Sequence, residues 1–320
     1  MSILTRIKNL LSKKHATQRV GIALRQNVIS VCSIPPKDDD SNSGNVYFKE
    51  QAINDDDICS AIEGLQDQYN FSGQVYLVLN EQQAQVVQVD KPSLAEEEIK
   101  GALKWQVKDL VTIAPDNMVL DYYDAPMMMS GKEKINVVCA PLTELKKLVH
   151  TINEQELEVT RIITQEFAFA NLVPVKNEAT LIVCQQPDQE IVIIIVKQGQ
   201  LYFHRRLRGF AQLASKTEEE LSLGVIDSLS LEIQRSTDYF ERQLKQAPIK
   251  EIQVLLPIEL EGFFARKLSE NTNVPVTLLP LPSPYHEQRE FAVALGASLL
   301  DASELASGEI KASSEVQHAG

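Results

Sequence analysis

The chain has 320 residues, a formal net charge of −13, 44% hydrophobic and 23% charged residues, and a single tryptophan. That length allows two domains with substantial cores, and the acidity excludes a general nucleic-acid binder, because neutralising phosphates needs a basic face. Four scattered cysteines, Cys32, Cys59, Cys139 and Cys184, without CxxC or Cys/His spacing, point to a reduced cytosolic protein with structural thiols and no metal.

No apolar run approaches the roughly 18 residues of a membrane span. At the start, Ile3, Leu4, Ile7, Leu10 and Leu11 fall on one helical face, with Arg6, Lys8 and Lys13 off it and Lys14 beyond. Charges that follow the apolar part do not suit a signal peptide. Residues 1–18 read as a short basic amphipathic helix able to touch an anionic bilayer or a partner. They also read as a frayed terminus, since so short a helix is marginal alone in water.

Arg19–Leu24, Val28–Ile34 and Asn45–Ala52 read as a strand meander. The acidic loop from Asp38 lacks the glycine and final carboxylate positions of a calcium loop. A helix over Asp55–Gln68 and a strand over Gln74–Leu79 follow. Ala84–Val159 then reads as a unit of its own. In it Ser93 and Glu96 form an expected capping box, and Glu96, Glu97 and Glu98 complement the helix dipole. Ile99, Leu103, Gln106 and Leu110 are placed on one face of that helix, with Trp105 about 150° away. An off-face tryptophan either wedges against a neighbouring subdomain or is presented to a partner.

The second half repeats the meander: Ala179–Cys184, Glu190–Val196 and Gln200–Leu207. Six consecutive β-branched residues, Ile191 to Val196, predict a strand covered on both faces. Lys197-Gln198-Gly199 predicts a tight hairpin. Thr217–Gln246 reads as one long helix with a spine of Leu223, Ile226, Leu229, Ile233, Thr237, Phe240 and Leu244. A strand, a helix and a strand lead to a last helix, Gln288–Leu300, whose small residues permit close packing.

Val20-Gly-Ile, Leu201-Tyr-Phe-His-Arg, Leu231-Glu-Ile-Gln-Arg-Ser-Thr-Asp-Tyr-Phe and Phe291-Ala-Val-Ala-Leu-Gly occur in an order that resembles the PilM family of type IV pilus assembly. The resemblance spans roughly Arg19 to Leu300. It implies an α/β, actin-like (ribonuclease-H-like) two-domain fold with an inserted FtsA/PilM-type subdomain. On that plan residues 19–173 form the first domain with the insert at about 84–159, and 174–286 form a reduced second domain. Residues 287–304 return to the first domain, and 305–320 are a disordered tail.

Nucleotide-binding members of this fold hold ATP on two glycine hairpins with Asp-x-Gly cores. There glycine lets backbone N–H groups approach phosphate, and the aspartate serves Mg²⁺. At the matching positions this chain has Ala23, Arg25 and Ser30 in the first hairpin and Gln185 and Pro187 in the second. Pro257 stands where a Gly-Gly turn would cradle adenosine. The expectation is therefore no cofactor, a degenerate nucleotide site and a more open cleft, with Arg25 retaining a charge that could meet an anion. The local cluster His204, Arg205, Arg206 and Arg208 reads as surface ion pairing.

The resemblance implies a non-enzymatic cytoplasmic scaffold, peripheral to the inner membrane, that binds the cytoplasmic N-terminal segment of a PilN-like protein. By resemblance the groove between the first domain and its inserted subdomain captures that segment, on a surface that involves the helix Ser93–Val111 and neighbouring strands, with Trp105, Lys104 and Lys108 as contacts. Ile3, Leu4, Ile7, Leu10, Leu11, Lys13 and Lys14 would add weak attraction to anionic lipid. The competing readings are an actin-fold ATPase or sugar kinase with divergent loops, which needs a cleft acid that is missing, and a type II secretion platform component. The polar end of the chain counts against the latter.

Overall fold

In a computed structural model, residues 18–35, 46–126 and 133–300 are described. The expected N-terminal helix, acidic loop and tail lie outside them. The first lobe opens with β1 (Arg19–Leu24), β2 (Val28–Ile34) and β3 (Tyr47–Ala52). Helix α1 (Ile58–Tyr69) leads to β4 (Gly73–Leu79). Asp57 caps α1 by accepting from the Ser60 backbone N–H, and Asn70 ends it in the left-handed conformation.

The chain then leaves the lobe for β5 (Gln85–Asp90), α2 (Glu96–Val107), β6 (Met118–Asp124) and β7 (Lys134–Pro141). It returns through α3 (Leu142–Glu154), β8 (Leu157–Thr164) and α4 (Gln165–Asn171). The lobe's sheet has the order β3-β2-β1-β4-β8, and β8 runs parallel to β4. A parallel neighbour requires a long crossover, and the insert is spliced into that crossover. The separate sheet, ordered β5-β7-β6, therefore ends at Pro141 and not at Val159. Leu148 and Ile152 of α3 pack with Ile62 and Leu65 of α1 on the first lobe.

Helix α2 begins at Glu96 after Ala95, without a side-chain cap. The expected Ser93 capping box is absent, because Ser93 stands outside the first turn. Its buried face is Ile99, Leu103 and Val107 at steps of four, packed on the insert's sheet. Gln106 and Leu110 are exposed, the latter because the helix has already ended.

The second lobe repeats the plan with β9 (Thr180–Cys184), β10 (Val192–Lys197) and β11 (Gln200–Arg206). It continues with α5 (Ile226–Asp238), β12 (Glu251–Leu255), α6 (Glu261–Glu270) and β13 (Val276–Leu278). The sheet order β11-β10-β9-β12-β13 and its strand directions reproduce the first sheet. Strand β10 is covered on both faces as its sequence requires. Val192, Ile194 and Val196 join the core between the lobes, while Ile193 and Ile195 join the core under α5. Gln198 and Gly199 both take positive φ, 54° and 74°, closing the tight hairpin.

The long helix expected over Thr217–Gln246 is interrupted. Gly224 adopts φ 98°, and Leu223 beside it is non-helical, so the phase of the spine resets at α5. Leu223 is consequently 74% exposed, whereas Ile226, Leu229, Ile233, Phe240 and Leu244 are buried. The last helix, α7 (Ala292–Ser298), is short and wholly buried against α4, β1, β2 and β4. Two glycines permit this approach: a Cβ on Gly21 would run into the Ala294 carbonyl oxygen, and one on Gly296 into that of Ala168.

Candidate functional site

The β1–β2 turn is held by Arg25 N–H donating to the Val28 carbonyl at 2.9 Å. The Arg25 guanidinium is buried and pairs with Glu50 on β3 at 3.0 Å. Ser30 Oγ donates to the same carboxylate at 3.1 Å. Ala23 is buried in the core between the lobes. Ala23 and Ser30 are thus absorbed into the sheet and its contacts, whereas Arg25 pairs with Glu50 through Nη2 and holds Nη1 buried without a hydrogen-bond partner among the described residues.

The β9–β10 turn is bonded internally. The Gln185 side-chain amide donates to the carbonyls of Gln189 at 2.6 Å and Phe210 at 2.7 Å. Gln186 Nε2 donates to Gln165 Oε1 at 2.9 Å, with both residues buried. Pro187 follows half-buried, and Asp188 turns the chain at φ 58°. The third position adjoins the second, since the Gln185 N–H donates to the Leu255 carbonyl at 3.1 Å. Before Pro257, the Leu256 N–H is taken by Glu261 at 2.7 Å. Burial pushes the Glu261 carboxyl above its ordinary pKa, while its bonds with Arg289 oppose the shift.

The lobes are also tied at the mouth of the cleft. Arg206 on β11 pairs with Glu81, in the link between β4 and β5, and lies 3.7 Å from buried Glu166 of α4. Tyr123 of the insert stands 3.2 Å from His204 Nε2 and edge-on to Phe167, ring centroids 4.9 Å apart. The basic cluster is therefore more than surface pairing. Arg205 does pair with Glu232, at 3.2 Å, but Arg206 spans the two lobes, and the expected open cleft is bridged.

A groove of about 150 Å³ lies at the root of the insert, where the chain leaves the first lobe and comes back. Leu79, Pro141, Leu145, Leu148 and Ile58 give it apolar walls, with Asp56, Asp57 and Glu144 and one cation, Lys147, around them. Hydrogen bonds from Ser60 hold the Asp57 carboxyl below its ordinary pKa, so it is charged at neutral pH. The resemblance implied a groove between the first domain and its insert, but placed it on the helix Ser93–Val111; the residues that line this one were missed. Their only trace was the helical spacing of Leu145, Leu148 and Ile152 and the acidic run before Ile58.

Trp105 is 67% exposed on α2, with Lys104 half-buried and Lys108 exposed beside it. None of the three lines the groove. Ile3, Leu4, Ile7, Leu10, Leu11, Lys13 and Lys14 lie outside the described residues. Among the described residues there is no group of three or more metal-ligating side chains, and no helix is long and apolar enough to cross a membrane.

No protein-family model and no curated protein matches the sequence. Solved structures do match. One is a chain of the PilM-PilN type IV pilus biogenesis complex, 14% identical, with 89% of this chain and 98% of that chain covered and a TM-score of 0.65. Another is a protein from Bacteroides thetaiotaomicron with an actin-like ATPase fold and unknown function, 11% identical, covering 86% and 96%, TM-score 0.50. The cytoplasmic domain of EpsL, an inner-membrane component of the type II secretion system of Vibrio cholerae, is 13% identical over 76% and 83%, TM-score 0.47. At such identities the likeness is one of fold. Two lobes with one strand order, two buried helices between them and a small sheet spliced into the first lobe are the actin-like fold, and this chain has it.

Proposed function

We propose that the chain is a non-enzymatic scaffold of a type IV pilus assembly platform, cytoplasmic and held at the inner membrane by capturing the N-terminal segment of a PilN-like protein. The motif set resembles that of the MshI protein of mannose-sensitive haemagglutinin pilus biogenesis, and we extend the proposal to that kind of pilus. The observation that carries it is the groove at the root of the insert. It has apolar walls and surplus negative charge, which suit a short apolar segment flanked by basic residues. The likeness to a chain of the PilM-PilN complex over nearly its whole length supports the same reading. So does the cleft, where Gln165, Gln186 and Arg206 are bonded within the protein. We therefore propose no cofactor and no ATPase activity.

The test is calorimetric titration of the full chain with the cytoplasmic N-terminal peptide of a PilN-like protein. Saturable binding is expected, weakened about tenfold or more by Leu145→Asp, roughly the loss of one central apolar contact. Trp105→Ala in the same series decides whether the exposed face of α2 also takes part. Absence of binding both by the unaltered chain and by the chain carrying Arg6→Glu, Lys8→Glu, Lys13→Glu and Lys14→Glu would end the proposal.

A further inference from the structure

The groove has a second candidate occupant within the same molecule. Residues 1–17 carry Ile3, Leu4, Ile7, Leu10 and Leu11 together with Arg6, Lys8, Lys13 and Lys14, and no acidic residue. The groove offers the complement: Leu79, Leu145 and Leu148 beside Asp56, Asp57 and Glu144. The tether is short and its end is fixed. Gln18 is anchored at the start of β4, where its carbonyl accepts from the Gln74 N–H at 2.9 Å. Leu79, at the far end of β4, is about 17 Å away at ~3.3 Å per residue. Seventeen residues reach about 55 Å extended. Even a helical Ile3–Lys14 on a three-residue link reaches about 28 Å.

We infer that the N-terminal segment docks in this groove in cis, with its leucines on the apolar walls and its lysines against Asp56, Asp57 and Glu144. A tether of this length raises the local concentration of the segment to about millimolar, so even weak intrinsic affinity fills the groove. Any other apolar-basic segment then has to compete with it. Release of the N-terminus becomes a condition for partner binding if the proposed partner uses this groove, but the docking itself does not depend on that partner.

Cys59 lines the groove and is partly accessible, whereas Cys32, Cys139 and Cys184 are buried. It is a native reporter. The experiment is the rate of maleimide labelling of Cys59 in the folded full-length chain, with the site assigned by peptide mass. In the unaltered chain labelling is slow. In the full chain carrying Arg6→Glu, Lys8→Glu, Lys13→Glu and Lys14→Glu it rises about fivefold or more, as expected for loss of a tethered occupant. Asp56→Lys with Glu144→Lys, on the other side of the contact, gives the same rise. Adding a synthetic peptide of residues 1–17 to the N-terminal charge-reversal variant slows it again. Equal rates in the unaltered and both reversed chains would overturn the inference. So would labelling of the unaltered chain that speeds up on dilution, which would place the segment on a second copy. These readouts involve no pilus protein, so they fail or succeed independently of the scaffold proposal.

Discussion

Gln186 of the second lobe donates its side-chain amide directly to Gln165 of the first, across the floor of the cleft, at 2.9 Å. Both residues are buried, so separating them to admit a triphosphate would leave unpaired polar groups at a cost of about 1–3 kcal/mol each. Titration with Mg·ATP is therefore expected to give no saturable heat at millimolar nucleotide. The thermal midpoint should also stay within about 1 °C, whereas a micromolar ligand at that concentration would raise it by several degrees. A micromolar isotherm would refute this.

Arg206 holds the lobes together through Glu81 and Glu166. Glu81 is largely exposed and contributes little, but Glu166 is buried and is left without its cation when the arginine is removed. Arg206→Ala is expected to cost about 1–3 kcal/mol, between the ranges for exposed and buried pairs. Urea unfolding measures the loss, and Arg206→Ala with Glu166→Gln should recover part of it. Amide exchange in β11 and α4 should quicken in the single variant.

Glycines at two positions make opposite predictions. Gly21→Ala drives a methyl group into the Ala294 backbone, so α7 must move off the sheet, a loss of about 1–3 kcal/mol. Gly64→Ala in α1 meets nothing within 4 Å and should stabilise by about 0.5–1 kcal/mol through helix propensity. Denaturant midpoints of the two variants should shift in opposite directions.

Stability in acid should depend on Glu251. Burial alone would raise its pKa, but hydrogen bonds from Lys176 and Thr180, with the lysine's charge, outweigh burial and hold the carboxyl below its ordinary value of 4.5. A carboxyl lowered on folding contributes stability that is complete above its unfolded pKa and disappears as pH falls through the folded one. Glu251→Gln should therefore cost about 0.5–1 kcal/mol at pH 7, as for a partly exposed pair, and flatten the decline of stability below about pH 4.5. A variant with the full wild-type acid slope would remove Glu251 from that role.

Features fixed by neighbours along the chain are legible in the residues themselves. The run Ile191–Val196 announces a strand with no wet face, and the two meanders announce paired lobes, because β-branched composition and turn residues act locally. Punctuation is harder. Nothing in the spacing shows that Gly224 takes a left-handed φ and breaks the helix before α5, or that Thr217 and Glu220 form a capping box while Ser93 and Glu96 do not. That Ala23, Arg25 and Gln185 are not Asp or Gly is legible, but the contacts those side chains make are not. Glutamines carry no pattern of their own, so the Gln165–Gln186 pair exists only once two lobes meet. The groove likewise needs the first turns of α1 and α3 side by side, segments far apart in sequence.

The burial of α7 against β1 and β2 has a consequence for biosynthesis. Gly21 leaves the ribosome about 270 residues before the Ala294 carbonyl it must accommodate, an interval of roughly 15–55 s at ~5–20 residues per second. Throughout that time β1 and β2 lack the helix that covers one of their faces, so the N-terminal lobe cannot finish folding while the chain is being made. Nascent protein stopped before residue 292 should accordingly be a client of chaperones, and the second lobe, made later, has the means to become native first.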